Sequence, residues 1–220
     1  MEFELDICRA VGVAHRPDSP PSVLRIDDNS LRHPRWGQGL REVLDKAGER
    51  SRRAQGLGKA VTCGSGVSLS SCRVYLLAAG HTLLGLLKVG PKRLFVAKGN
   101  EGLVDINPLC VLDFYVVEGH QRGGLGLKLF KAMLSREAVT AAKLAYDKPS
   151  PKLIGFLRKH FGLARFTPQS NQFVVFDAYF SNMPPPAPSA DDDDSAVGSR
   201  SRASSMPRLP ARPPRGPAAL

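Results

Sequence analysis

The chain has 220 residues, 42% hydrophobic and 23% charged, which suits one substantial core with tails rather than two large domains. No apolar run approaches the roughly 20 residues that span a bilayer as a helix, and the acidic opening Met1-Glu2-Phe3-Glu4-Leu5-Asp6 lacks the basic region of a signal peptide. The net charge of +11 is uneven: the stretch from Ser181 onward holds five Arg and four Asp, leaving 26 basic and 16 acidic residues, a net of +10, on the first 180. That excess favours a polyanionic partner, whether a nucleotide cofactor, a nucleic acid or an acidic protein surface, without choosing among them. Cys8, Cys63, Cys72 and Cys110 show neither CxxC spacing nor a paired histidine cluster, so no zinc site and no disulfide framework is implied, and the expectation is a reduced, intracellular protein.

Residues 15–35, with Pro17, Pro20, Pro21 and Pro34, read as irregular structure. Helical spacing of Leu40, Val43, Leu44 and Ala47 predicts a helix over Gly39–Gln55, and the Gly- and Ser-rich stretch Gly56–Ser71 predicts a mobile loop. Val74–Ala79, Leu83–Val89 and Arg93–Val96 read as strands, with Gly90-Pro91 as the turn between the last two. Leu109–Val117 is almost continuously apolar, the pattern of a strand buried on both faces. A helix from about Gly124 to Glu137 places Leu129, Phe130, Met133 and Leu134 inward, and a short strand Lys143–Tyr146 follows. Ser150 as N-cap with Pro151 behind it starts a second helix, and Gln172–Tyr179 closes the series as a strand. From Ser181 the chain holds nine of its eighteen prolines among Ala, Ser and Arg, together with the block Asp191–Asp194; residues 181–220 are expected to be a disordered tail to a domain spanning 1–180. Interleaved strands and helices after a run of hairpin-like strands predict an α/β fold, a mixed sheet covered by helices.

The chemistry concentrates where the buried strand meets Gln121-Arg122-Gly123-Gly124-Leu125-Gly126 and then a helix. Glycines there let the backbone turn tightly and approach a ligand. The first amides of a helix have no intrahelical acceptor and sit at the positive end of its dipole, which makes an anion site suited to a pyrophosphate. Arg122 and Lys128 are candidates to add charge. Neither the GxxxxGK[ST] loop nor GxGxxG with a downstream acidic ribose ligand is present; the Q/R-x-x-G-x-G/A pattern is that of the GNAT acetyltransferases.

Cys110-Val111-Leu112-Asp113-Phe114-Tyr115, then Gln121–Gly126, then Asp147-Lys148-Pro149-Ser150 and Lys152-Leu153, resemble the α-tubulin N-acetyltransferase family. Leu87-Lys88-Val89-Gly90, Leu94-Phe95-Val96, Lys159-His160-Phe161, Asn171-Gln172-Phe173-Val174 and Ala54-Gln55 extend the resemblance over about Gly39–Phe180 at near-constant spacing. Lys148 stands where the pattern has arginine and Gly123 where it has histidine. The resemblance implies a GNAT-type, mostly antiparallel central sheet flanked by helices. It further implies acetyl-CoA as co-substrate without a metal, and a lysine of the luminal loop of α-tubulin in microtubules as acceptor.

By the same resemblance, cofactor contacts fall on Phe114-Tyr115-Val116-Val117-Glu118-Gly119-His120-Gln121-Arg122-Gly123-Gly124-Leu125-Gly126-Leu127 and on Ser150-Pro151-Lys152-Leu153-Ile154-Gly155-Phe156-Leu157-Arg158-Lys159. Asp147, Cys110 and Gln55 match positions associated with activity. Asp147 is the candidate base for the acceptor amine, Cys110 lines the site or assists proton removal, and Gln55 holds the acceptor segment. Lys88, Lys92, Arg93 and Lys98 form a candidate basic surface for acidic tubulin. The implied setting is a monomer on cytoplasmic microtubules, those of flagellar and ciliary axonemes included, without nucleic acid or membrane. Two alternatives stay open: a GNAT enzyme acting on another protein or a small amine, and a non-catalytic basic module that binds microtubules or nucleic acid.

Overall fold

The computed structural model describes residues 1–64, 71–98 and 102–181. In chain order the elements are α1 (Ile7–Ala10), β1 (Ser22–Ile26), α2 (Asp28–Arg32), α3 (Gly37–Gln55), β2 (Arg73–Ala79), β3 (Thr82–Pro91), β4 (Leu94–Ala97), β5 (Leu103–Ile106), β6 (Leu109–Val116), α4 (Leu125–Glu137), β7 (Leu144–Asp147), α5 (Pro151–Phe161) and β8 (Phe173–Val175). Six strands form one sheet in the order β1-β2-β3-β6-β7-β8, antiparallel throughout except for the β6–β7 pair, while β4 and β5 make a separate two-stranded ribbon. The mostly antiparallel α/β sheet flanked by helices is the GNAT-type architecture expected from the resemblance.

Both faces of the sheet are covered, which is why β2 and β3 read as continuous apolar runs. On one face Leu40, Val43, Leu44 and Ala47 of α3 pack with Ile7, Ile26, Leu76 and Leu86. On the other, Leu129, Phe130 and Met133 of α4 and Leu157 of α5 pack with Leu77, Leu87, Val111 and Tyr146. Each fully buried Leu or Phe of these layers contributes about 1.5–3 kcal/mol relative to exposure. Truncating one, Leu44 for instance, costs roughly 2–5 kcal/mol because the sheet cannot collapse into the hole.

Local signals set the helix ends. Ser150 Oγ accepts from the Leu153 amide at 3.2 Å to start α5, and Gly162 in left-handed conformation stops it. Gly48, in the middle of α3, has a different role: a Cβ there would stand 1.8 Å from the Thr62 carbonyl oxygen, so only glycine lets the helix lie against the chain that returns from its own C-terminus.

Several expectations need correction. Residues 15–35 are not all irregular, since Ser22–Ile26 pairs with β2 and buries Leu24 and Ile26; Pro20 and Pro21 merely precede the strand. Strand β3 continues through Pro91, and the chain turns at Lys92-Arg93 instead of Gly90-Pro91, because Gly90 and Pro91 still pair with Cys110 and Leu109. The ribbon partner β5 carries no apolar alternation strong enough to read. The last strand is only Phe173–Val175; Phe176 turns into the core beneath Tyr146, and a 3₁₀ turn occupies Asp177–Tyr179. The tail expected from Ser181, apart from Ser181 itself, and residues 65–70 of the expected loop lie outside the described residues.

Candidate active site

Strands β6 and β7 pair only at Leu109–Leu144, Cys110–Ala145 and Val111–Tyr146. Beyond that β7 ends at Asp147, while β6 continues to Val116 against β3 alone. The two parallel strands therefore part, and one edge of β6 opens into a gap. The Val117 N–H donates to the Leu84 carbonyl on β3 at 3.0 Å. By strand alternation the backbone polar groups of Phe114 and Val116 then face the gap. The Val116 carbonyl there accepts from Gln121 Nε2 at 2.8 Å. An edge of this kind takes an extended amide-bearing chain as an added strand would.

A 3₁₀ turn over Glu118–His120 leads from this edge to the glycine loop. Gly124, at φ +77°, takes the N-cap of α4 with no side-chain cap, and the first intrahelical bond is Lys128 N–H to the Gly124 carbonyl at 3.0 Å. The N–H groups ahead of that bond have no intrahelical acceptor, and the helix dipole adds positive potential. No heavy atom lies within 4 Å of a Cβ built at Gly119, Gly123, Gly124 or Gly155, whereas one at Gly126 would meet Phe114 at 3.4 Å and Val116 at 3.5 Å in ordinary contact. The loop is thus seated on β6 while its outer side is open, and an uncapped helix end beside open space fits a pyrophosphate.

The two candidate cofactor segments divide by face. Gln121, Arg122, Lys152, Arg158 and Lys159 are exposed, and Leu153, Ile154 and Phe156 line the core side of α5 half-buried. Tyr115 and Val117 turn their side chains into the core beneath α3, where the Tyr115 hydroxyl donates to Glu118 Oε2 at 2.9 Å, and Leu157 is enclosed between α5 and the sheet. At Tyr115, Val117 and Leu157 only the backbone can meet a ligand. Lys128 reaches instead to the Pro21 carbonyl, away from the glycine loop.

Cys110 and Asp147 share a face. Leu144, Tyr146 and Val111 point to the α4–α5 core, whereas Ala145 and Cys110 point to a cluster with Leu94, Val96 and Val175. Asp147, two residues beyond Ala145, points the same way. Burial pushes the Asp147 carboxyl above the ordinary carboxylate range, partly offset by the charges of Lys148 and Lys92. The Cys110 thiol is fully buried, its Sγ–H directed at the Pro108 carbonyl (3.6 Å). Burial, with the neighbouring Asp147, pushes it up to about 12, so it stays a thiol at neutral pH. Lys148 holds φ +42° while its N–H donates to the Gln172 carbonyl at 3.2 Å, which ties the end of β7 to the start of β8.

Gln55 reaches this face from the last turn of α3. Its Nε2 donates to Asp113 Oδ1 at 3.0 Å and to Ser51 Oγ at 2.7 Å. Asp113 is buried and also accepts from Ser51 Oγ (2.6 Å) and Thr62 Oγ1 (2.7 Å). Sequence reading gave no role to Asp113, Ser51 or Thr62; the one available signal is a lone carboxyl inside the apolar run Leu109–Val117. Of the candidate basic surface, Arg93 is paired with Asp105 at 2.6 Å and Lys88 donates to the Val61 carbonyl at 2.8 Å.

A splayed parallel strand pair and a glycine turn opening an uncapped helix are features of the GNAT-type class of folds. Within that class the chain belongs to the family described as GNAT acetyltransferase, Mec-17, which matches residues 19–207. It is 50% identical over 143 residues to an α-tubulin N-acetyltransferase of Tetrahymena thermophila, covering 65% of this chain and 36% of that protein. To its counterpart in Leishmania infantum it is 48% identical over 146 residues, covering 65% of this chain and 59% of that protein. An α-tubulin N-acetyltransferase of Phytophthora infestans shares 54% identity over 100 residues, 46% of this chain and 56% of that protein. The match thus spans between about a third and three fifths of the length of these relatives.

Proposed function

We propose that this chain, through a catalytic domain spanning residues 1–180, transfers the acetyl group of acetyl-CoA to the side-chain amine of a lysine in the luminal loop of α-tubulin, acting on cytoplasmic microtubules by direct attack in a ternary complex. The observation that supports the chemistry is that Asp147 and Cys110 share one face where β6 and β7 part, with the open glycine loop following the far end of β6. The names of the relatives carry the substrate.

The gap edge of Phe114 and Val116 would hold the pantetheine amides, and the loop Gln121–Gly126 with the first amides of α4 would hold the pyrophosphate, with α5 from Ser150 alongside. Bound acetyl-CoA supplies an activated thioester. An acceptor lysine, with a reference pKa of about 10.4, arrives as an ammonium and must lose a proton before it can attack. Asp147 receives that proton, and its raised pKa brings it nearer the task than an exposed carboxylate. The nitrogen then bonds to the acetyl carbon as the C–S bond breaks, and its second proton leaves with the thiolate. Cys110, held as a thiol, lines the site and forms no acyl adduct.

The test is acetylation of assembled microtubules with acetyl-CoA, followed by mass spectrometry of the modified lysines. Modification confined to one lysine of α-tubulin supports the reading. Equal modification of unrelated proteins or small amines points to a broader acetyltransferase. No binding of acetyl-CoA in calorimetry removes enzymatic function altogether.

A further inference from the structure

We propose that Asp113 is a positioning residue for the acceptor side of the site, fixing Gln55 so that its carboxamide oxygen faces the incoming substrate. The inference rests on the reading of Gln55 as an acceptor contact and adds which end of the amide does the work.

Asp113 is only 4% exposed, and among the described residues its hydrogen bonds come from neutral donors: Ser51, Gln55 and Thr62. Its cross-strand neighbour Lys88 turns instead to the Val61 carbonyl. A carboxylate accepts and does not donate, so the group that Gln55 turns toward it has to be the NH₂. Ser51 reinforces the choice, because its hydroxyl hydrogen is committed to Asp113 and its oxygen is left to accept from Gln55 Nε2. Both ends of the amide are thereby assigned. Nε2 is bound inward twice, and Oε1 takes no hydrogen bond among the described residues.

Oε1 therefore presents an acceptor on the exposed side of α3. That suits a backbone N–H or an ammonium of the substrate and rejects a carbonyl. The location is the right one: β6 bulges between Asp113 and Val111, which places Asp113 just past Leu112 on the side carrying Cys110. The same carboxyl also gathers the loop after α3 through Thr62, which Gly48 allows to lie against the helix.

Two variants and one spectroscopic measurement test this. In D113N the carboxamide of Gln55 is free to turn over. The kcat/KM for microtubules is expected to fall about tenfold, the loss typical of one misdirected hydrogen bond, while the affinity for acetyl-CoA measured by calorimetry stays within about twofold. Q55E faces Asp113 with a second carboxylate and is expected to lose more. In D113N/Q55E the carboxamide introduced at position 113 can donate to the carboxylate introduced at position 55. The second oxygen of that carboxylate is then left outward, and part of the activity lost in Q55E should return. Wild-type kinetics in D113N or in Q55E, or a double variant no better than Q55E, overturns the proposal. A parallel loss of acetyl-CoA affinity and of thermal stability in D113N also overturns it in favour of a structural role. Independently of activity, the Gln55 side-chain NH₂ should exchange slowly by NMR in the wild type and rapidly in D113N. Rapid exchange in the wild type defeats the proposal even if the protein acetylates tubulin. Slow exchange in a wild type inactive on tubulin defeats the functional reading and leaves the positioning intact.

Discussion

The edge running from β6 through the glycine loop into α4 is held together by neighbours in sequence, whereas the face carrying Cys110, Asp147 and Gln55 is held by residues far apart in the chain. Gln121 caps the Val116 carbonyl five positions away, and the Gly124 carbonyl receives the Lys128 amide. Across the face, Ser51, Gln55 and Thr62 converge on Asp113 over separations of 62, 58 and 51 residues, and Cys110 meets Ala145 and Asp147 only because β6 and β7 pair. A locally wired anion site can form wherever a strand feeds a glycine-started helix. A face assembled from distant elements exists only in the completed fold, so it can specialise in one acceptor without altering the glycine turn.

The two regions should come apart most sharply in Asp147→Asn. Turnover on microtubules should drop by roughly 10²- to 10⁴-fold, the range for losing a general base, while calorimetry shows acetyl-CoA affinity nearly unchanged. A wild-type rate in this variant removes Asp147 from the proton transfer. Its pH dependence carries a sign as well. Burial raises the Asp147 pKa, and the proposed mechanism uses the carboxylate, so kcat/KM should fall as pH drops through a value above the ordinary carboxylate range. An acid limb at the position of an exposed carboxylate contradicts this environment.

The opposite pattern is expected from Gly124→Val. A β-branched residue at φ +77° is strained by about 1–3 kcal/mol, and acetyl-CoA affinity should weaken about tenfold with little change in kcat at saturating cofactor. Gly48→Ala probes the acceptor side by packing alone. The new methyl displaces Thr62, stability should fall by about 1–3 kcal/mol in chemical denaturation, and the KM for microtubules should rise more than that for acetyl-CoA. The mildest effect is assigned to Cys110→Ala, which should keep turnover within about tenfold of wild type. A covalent acyl-cysteine route requires near-complete loss and an acetylated Cys110 by mass spectrometry.

Much of the framework is legible in the residues themselves. The helical spacing of Leu40, Val43, Leu44 and Ala47, the apolar runs of β2, β3 and β6, and the Ser150-Pro151 start of α5 are short-range patterns, and a chain of 3.6- or 2-residue period buries one predictable face. Weaker readings fail for equally physical reasons. Strand β1 is hidden behind prolines and gains its stability from β2, and Phe176 leaves β8 because an aromatic slot under Tyr146 and against Phe166 accepts its ring.

The glycine loop shows the same division. By itself the sequence determined that Gln121–Gly126 turns a strand into a helix with free amides, since glycine conformation and helix polarity act within a few residues. Only the tertiary structure decided that β6 and β7 part ahead of that loop, that Tyr115, Val117 and Leu157 spend their side chains on the core, and that a buried aspartate orients Gln55. Those outcomes depend on which strands meet and which donors reach a desolvated carboxyl, and packing settles both across distances that sequence spacing does not encode.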